Sequence, residues 1–184
     1  MKKFCKFTSM LMAIAMVFSL CAFSASAHEL SEVEFPIDDP VFAIMQSADD
    51  FEIFETEDGA LTIMTASFPT ELLPQTLSAQ GNEQEWSGTS YVLQPEVRYF
   101  SCIYGEGSYC SFTATNESDT ADLKVTYSYF DGAEIEIPDY VSPNDSRITI
   151  IRNNNGEHLT FDFEISLSAY RCASVDWHLV ARQY

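Results

Sequence analysis

The stretch Leu159-Thr160-Phe161-Asp162-Phe163-Glu164-Ile165-Ser166-Leu167-Ser168 places an apolar residue at every second position and a polar one between. Successive side chains of an extended chain point to opposite sides, so this run predicts a strand with one face in a core and the other in water. Just before it, Ile148 to Arg152 ends in Asn153-Asn154-Asn155-Gly156-Glu157. An Asn-Gly pair tolerates the positive φ angles of a tight hairpin, so the two runs are expected to pair antiparallel.

The same pattern recurs on both sides. Val175, Trp177, Leu179 and Ala181 alternate with polar positions, which predicts a final strand with Trp177 inward and His178 outward. Leu123 to Phe130 reads as another strand, and Ala133, Ile135 and Ile137 as a short one ended by Pro138, since proline cannot donate to a ladder. Val97 to Tyr104 and Tyr109 to Thr115 bracket Gly105-Glu106-Gly107 as a further hairpin, and Tyr91 to Leu93 opens the set. Short strands at this spacing, with turn residues between and no helical period, predict an all-β protein. The expected form is an antiparallel β-sandwich of about 7–8 strands over residues 86–184, of immunoglobulin-like or jelly-roll type.

Upstream the pattern fades. Residues 28–85 read as an acidic, largely irregular arm, interrupted by Pro36, Pro40, Pro69 and Pro74 and closing in a polar linker over 75–85. Within it, Phe51-Glu52-Ile53 and Leu61-Thr62-Ile63 flank Asp58-Gly59, which predicts a hairpin over 51–65. At the very start, Lys2, Lys3 and Lys6 lead into an apolar run from Leu11 to Phe23 and then Ala25-Ser26-Ala27. A basic head, a short apolar middle and small residues before a cut make residues 1–27 a signal peptide, with cleavage expected after Ala27. The apolar run falls short of the roughly 20 residues a membrane-spanning helix needs. The expected product is secreted and extracellular, with no membrane attachment in its mature form.

Charge narrows the partners. Three of the nine basic residues leave with the signal, so six remain against 28 acidic ones, a net charge of −22 for residues 28–184. Phosphate backbones and anionic lipid repel such a chain, so nucleic acid is not expected as a partner. Extracellular proteins and neutral glycans remain open.

Cys102, Cys110 and Cys172 stay in the mature chain. With the Gly105-Glu106-Gly107 turn centred on Glu106, Cys102 falls opposite Cys110. Opposed residues of a non-hydrogen-bonded pair lie about 4.5 Å apart at Cα, within disulfide reach. A Cys102–Cys110 bridge is therefore expected, with pairing of Cys172 to either as the alternative.

Catalytic patterns are sparse. Asp176 and His178 lie two residues apart on one strand, which is not a recurring triad geometry, and no G-x-S-x-G elbow places a nucleophile. Asn116, Asp119 and Asp122 crowd oxygen ligands into one turn and are the calcium candidates, although their spacing matches no EF-hand loop, and no cofactor is otherwise expected. All nine tyrosines and both tryptophans fall between Trp86 and Tyr184. Tyr99, Tyr109 and Tyr170 are the ones that alternation and the turn near Cys172 turn outward, and flat aromatic faces beside polar groups suit sugar recognition. The expectation is a non-catalytic binding protein for an extracellular protein or glycan. The alternatives are a small extracellular hydrolase working through carboxylates, or a structural component of a surface assembly joined by strand addition.

Overall fold

A computed structural model describes Met45 and residues 48–56, 59–73, 82–129, 133–135 and 140–184. The expected export signal, half of the acidic arm over 28–85 and Ile137 lie outside the described residues. Among the described residues no helix is long and apolar enough to cross a membrane.

The described chain forms eleven strands in two antiparallel sheets. They are β1 (Glu52–Glu55), β2 (Leu61–Pro69), β3 (Glu83–Tyr91), β4 (Glu96–Ser101), β5 (Tyr109–Asn116), β6 (Asp122–Tyr129), β7 (Ala133–Ile135), β8 (Tyr140–Val141), β9 (Asp145–Asn153), β10 (Asp162–Tyr170) and β11 (Ser174–Gln183). One sheet has six strands in the order β1-β2-β9-β5-β11-β3, and the other runs β4-β10-β6-β7 with β8 beside β7 on β6. The all-β sandwich expected from the alternation is the architecture found.

Alternation sets the core. Phe163, Ile165 and Leu167 of β10 and Trp177, Leu179 and Ala181 of β11 are fully buried, while their polar neighbours point outward. Phe112 of β5 sits at the centre of the sandwich, meeting Phe100, Tyr127 and Phe163 at ring-centroid distances of 5.8, 5.3 and 5.1 Å. Each such side chain contributes roughly 1.5–3 kcal/mol by leaving water.

Three local expectations are corrected. The Asn-Gly turn does not join β9 to β10 as a hairpin, because both edges of β9 are taken, by β2 on one side and β5 on the other. Asn154 is instead tied to the β1–β2 turn, its side chain donating to the Gly59 carbonyl and accepting from the Thr62 hydroxyl. The chain then crosses to the other sheet, where β10 pairs with β4 and β6 from Asp162 onward. Leu159, expected in that strand, is buried just before it.

Gly105-Glu106-Gly107 is not a hairpin either, since β4 belongs to the five-stranded sheet and β5 to the six-stranded one. From β3 onward the chain changes sheet at every connection except those joining β6, β7 and β8.

The third difference concerns the acidic arm. The predicted hairpin is present as β1 and β2, but β2 is built into the six-stranded sheet along nine residue pairs with β9. The sandwich thus takes in strands before residue 86, and β3 begins at Glu83 inside the expected linker.

The outer side of β2 and β9 is covered, whereas that of β3 and β11 is not. On the six-stranded sheet, Met64, Ala66, Ile148 and Ile150 alternate with core residues yet are themselves fully buried. In the stretch before β1, Met45 is also fully buried, and Asp50 accepts a hydrogen bond from the Ser67 N–H. The five-stranded sheet keeps its outer face open.

Candidate recognition face

The open face follows from strict alternation in β10. Phe163, Ile165, Leu167 and Ala169 turn inward, so Glu164, Ser166, Ser168 and Tyr170 turn outward. Register then sets their neighbours. Glu164 lies between Tyr99 and Ser128, Ser166 between Val97 and Thr126, Ser168 beside Lys124, and Tyr170 beside Asp122. The surface is a floor of hydroxyls and alternating charges with tyrosines at two of its corners.

Two of the three tyrosines expected to face outward therefore share one face. Tyr99 stands 64% exposed on the edge strand β4. Tyr170 is six residues further along β10, roughly 20 Å at about 3.3 Å per residue. It does not stand alone, because Tyr140 of β8 packs on it with ring centroids 4.3 Å apart and planes inclined at 45°. The Arg171 guanidinium lies 4.8 Å from the Tyr170 ring, a cation–π contact, and Arg171 itself adopts a left-handed φ of 56° at the turn.

Tyr140 and Arg171 were missed by sequence reasoning. Tyr140 lies in a two-residue strand too short to show alternation. Its one signal was its position just past Pro138, where a new extended segment can start.

Tyr109 lies elsewhere. It belongs to β5 of the other sheet, and its ring stacks on Tyr184 at 5.0 Å and 12° while the two backbones exchange hydrogen bonds.

The calcium candidates also separate. Asn116 is wholly buried; its amide nitrogen donates to the Ala121 and Val141 carbonyls at 2.6 and 2.9 Å, and its oxygen accepts the Ser118 N–H at 3.0 Å. That side chain ties the β5–β6 corner to β8. Asp119 accepts a long hydrogen bond of 3.4 Å from Asn144, and Asp122 turns toward the open face beside Tyr170. Among the described residues no group of three or more His, Cys, Asp and Glu side chains gathers to hold a metal.

His178 and Asp176 lie on the outer side of β11, as alternation requires. Each is engaged by β3: His178 Nε2 is 2.7 Å from Glu85, and Asp176 accepts from the Thr89 hydroxyl. The cysteines expected opposite each other do meet, with Cys102 and Cys110 sulfurs 3.3 Å apart, although no hairpin brings them there. The chain matches no protein-family model and no curated protein.

Proposed function

We propose that the chain is exported, processed after Ala27, and acts outside the cell as a non-catalytic binding module whose open sheet face takes up a glycan. The observation that carries this reading is the outer face of the five-stranded sheet: where the outer side of β2 and β9 is buried, this face presents Tyr99 and the Tyr140–Tyr170 pair over a floor of serine and threonine hydroxyls. Sugar rings have an apolar side that rests on an aromatic plane and hydroxyls that exchange hydrogen bonds with polar neighbours. A net charge of −22 suits a neutral or cationic ligand and opposes nucleic acid or anionic lipid. Neither a metal nor another cofactor has a role in this reading. Export would also place the cysteines in an oxidising environment.

A glycan array probed with residues 28–184 and with a Tyr140→Ala, Tyr170→Ala double variant tests it. The expected result is binding by the parent and a loss of about tenfold or more, or 1.4 kcal/mol, in the variant at unchanged circular dichroism. A silent array, or equal binding by both, rejects the glycan reading.

A protein ligand is the second reading, favoured by the β3–β4 turn, where Tyr91, Val92 and Leu93 are 50%, 51% and 88% exposed. Capture of a surface protein that is lost on Leu93→Ser and kept in the double tyrosine variant would move the site to that turn.

A further inference from the structure

Phe100 and Cys102 stand two residues apart on the inward side of β4 and its continuation, and Cys110 and Phe112 do the same on β5. The two phenyl rings meet edge to face across the gap between the sheets. One step further along, the two sulfurs meet in the same way at 3.3 Å. The contact thus spans the two layers of the sandwich, and the connecting loop runs from one layer to the other.

Several groups hold that loop in place. Cys102 extends the β4–β10 pairing by donating its N–H to the Phe161 carbonyl. Gln183, wholly buried and opposite Cys110 in the register, accepts the Ile103 N–H at 2.7 Å and donates to the Ile103 and Leu159 carbonyls at 3.0 and 3.2 Å. Gly107 has a φ of 148°, and a Cβ there would fall 1.5 Å from the Tyr184 carbonyl oxygen, so the turn closes tightly on β11. The third cysteine is remote. Cys172 follows the far end of β10, about ten residues or roughly 30 Å from the rung that Cys102 extends.

We propose that Cys102 and Cys110 form a modification site, a disulfide that bolts the two sheets together and leaves Cys172 as the unpaired thiol. The oxidant is a disulfide of low-molecular-weight or protein thiols, such as oxidised glutathione. Cys102, the more exposed sulfur, loses its proton and attacks one sulfur of the donor, forming a mixed disulfide and releasing one donor thiolate. Cys110 then loses its proton and attacks the Cys102 sulfur. The Cys102–Cys110 bond forms, the mixed disulfide breaks, and the second donor thiolate leaves. Two electrons and two protons pass from the cysteine pair to the donor. The order follows from access, and the hydrogen bond to Cys102 and then burial push the Cys110 thiol up, which disfavours it as the first nucleophile. This modification is independent of the recognition face.

The test uses the full chain carrying Cys5→Ser and Cys21→Ser, refolded in a glutathione redox buffer, alkylated and mapped by mass spectrometry without reduction. The expected map links the Cys102 and Cys110 peptides and finds Cys172 alkylated. Three alkylated cysteines, or a peptide joining Cys172 to either partner, overturns the proposal. Reduction should lower the melting temperature by roughly 5–10 °C, since closing the nine-residue loop restricts the unfolded chain. The Cys172→Ser variant should keep that redox-dependent shift, and Cys110→Ala should lose it. An equal melting temperature with and without reductant would show that no bolt exists.

Discussion

Replacing Asn116 by aspartate changes one NH2 into an oxygen and little else in shape, yet the geometry predicts a large loss of stability. The Asn116 amide nitrogen is the donor to two buried-side carbonyls, of Ala121 and Val141. An aspartate would leave both without that partner and set a carboxylate oxygen against them. A buried polar group stripped of its partner costs about 1–3 kcal/mol, so the pair sums to about 4 kcal/mol at neutral pH. For a domain of this size that corresponds to a melting temperature lower by roughly 10 °C.

The pH dependence has a definite sign. Burial and the facing carbonyls raise the pKa of the introduced acid in the folded state above its unfolded value of about 3.9. Between those two values the folded state binds more protons than the unfolded one, so stability falls as pH rises and the deficit shrinks on going from pH 7 toward pH 4. Denaturant unfolding of parent and Asn116→Asp at pH 7 and 5, with calcium and with chelator, measures all of this. If Asn116 were an ion ligand, the added carboxylate would hold calcium more tightly and calcium would selectively stabilise the variant. That outcome, or parent-like stability of the variant in chelator, would refute the reasoning.

Further outcomes follow from the same structure. A Gly107→Ala variant should lose about 3 kcal/mol or more, because its Cβ meets the Tyr184 backbone, whereas Gly105→Ala, with a φ of 92° and open space around it, should lose only about 1 kcal/mol. Gly88→Ala brings a Cβ to 3.1 Å from the Trp177 ring and should cost about 1 kcal/mol and alter the near-ultraviolet dichroism of that ring. In a Trp177→Phe background the same substitution should cost less, and a double-mutant cycle without such coupling would count against the contact. Asp145 has its carboxyl pushed up by partial burial and then by Asp50, so its ionised form is the destabilising one. Asp145→Asn should therefore be slightly more stable than the parent at pH 7, with the advantage disappearing as pH falls through the carboxylate range, read from unfolding curves at the two ends.

What was legible in the sequence was the side of the sheet on which each residue falls. Alternation over Leu159–Ser168 and Val175–Ala181 places Phe163, Ile165, Leu167, Trp177 and Leu179 inside, and alternation in the Val97–Tyr104 run and the turn near Cys172 place Tyr99 and Tyr170 outside, where the structure has them. Turn chemistry was a weaker guide. Asn153 to Gly156 does contain a turn, with Gly156 at a φ of 71°, but a turn states that the chain reverses and not which strand it will meet. In a two-layer protein a reversing chain can pair beside itself or step to the facing layer, and local residues serve both outcomes equally.

The choice is made by competition for edges. β9 has two, and β2, whose residues lie 76 to 92 positions from their β9 partners in the chain, claims one through nine rungs while β5 claims the other. Nothing in 148–168 encodes that β2 exists, and β2 blends into the acidic arm in sequence because its run Leu61-Thr62-Ile63-Met64-Thr65-Ala66 is buried on both faces and so loses the period of two. The Cys102–Cys110 contact shows the other side of this argument. A wrong hairpin and the true crossover bring the same two residues together, because in either case both cysteines must face inward and the loop between them is too short to separate them. Pairings closed by short loops are thus robust to errors of topology. Faces such as the Tyr140–Tyr170 corner, assembled from β8 and the end of β10, depend on the full strand order and could be found only in the fold.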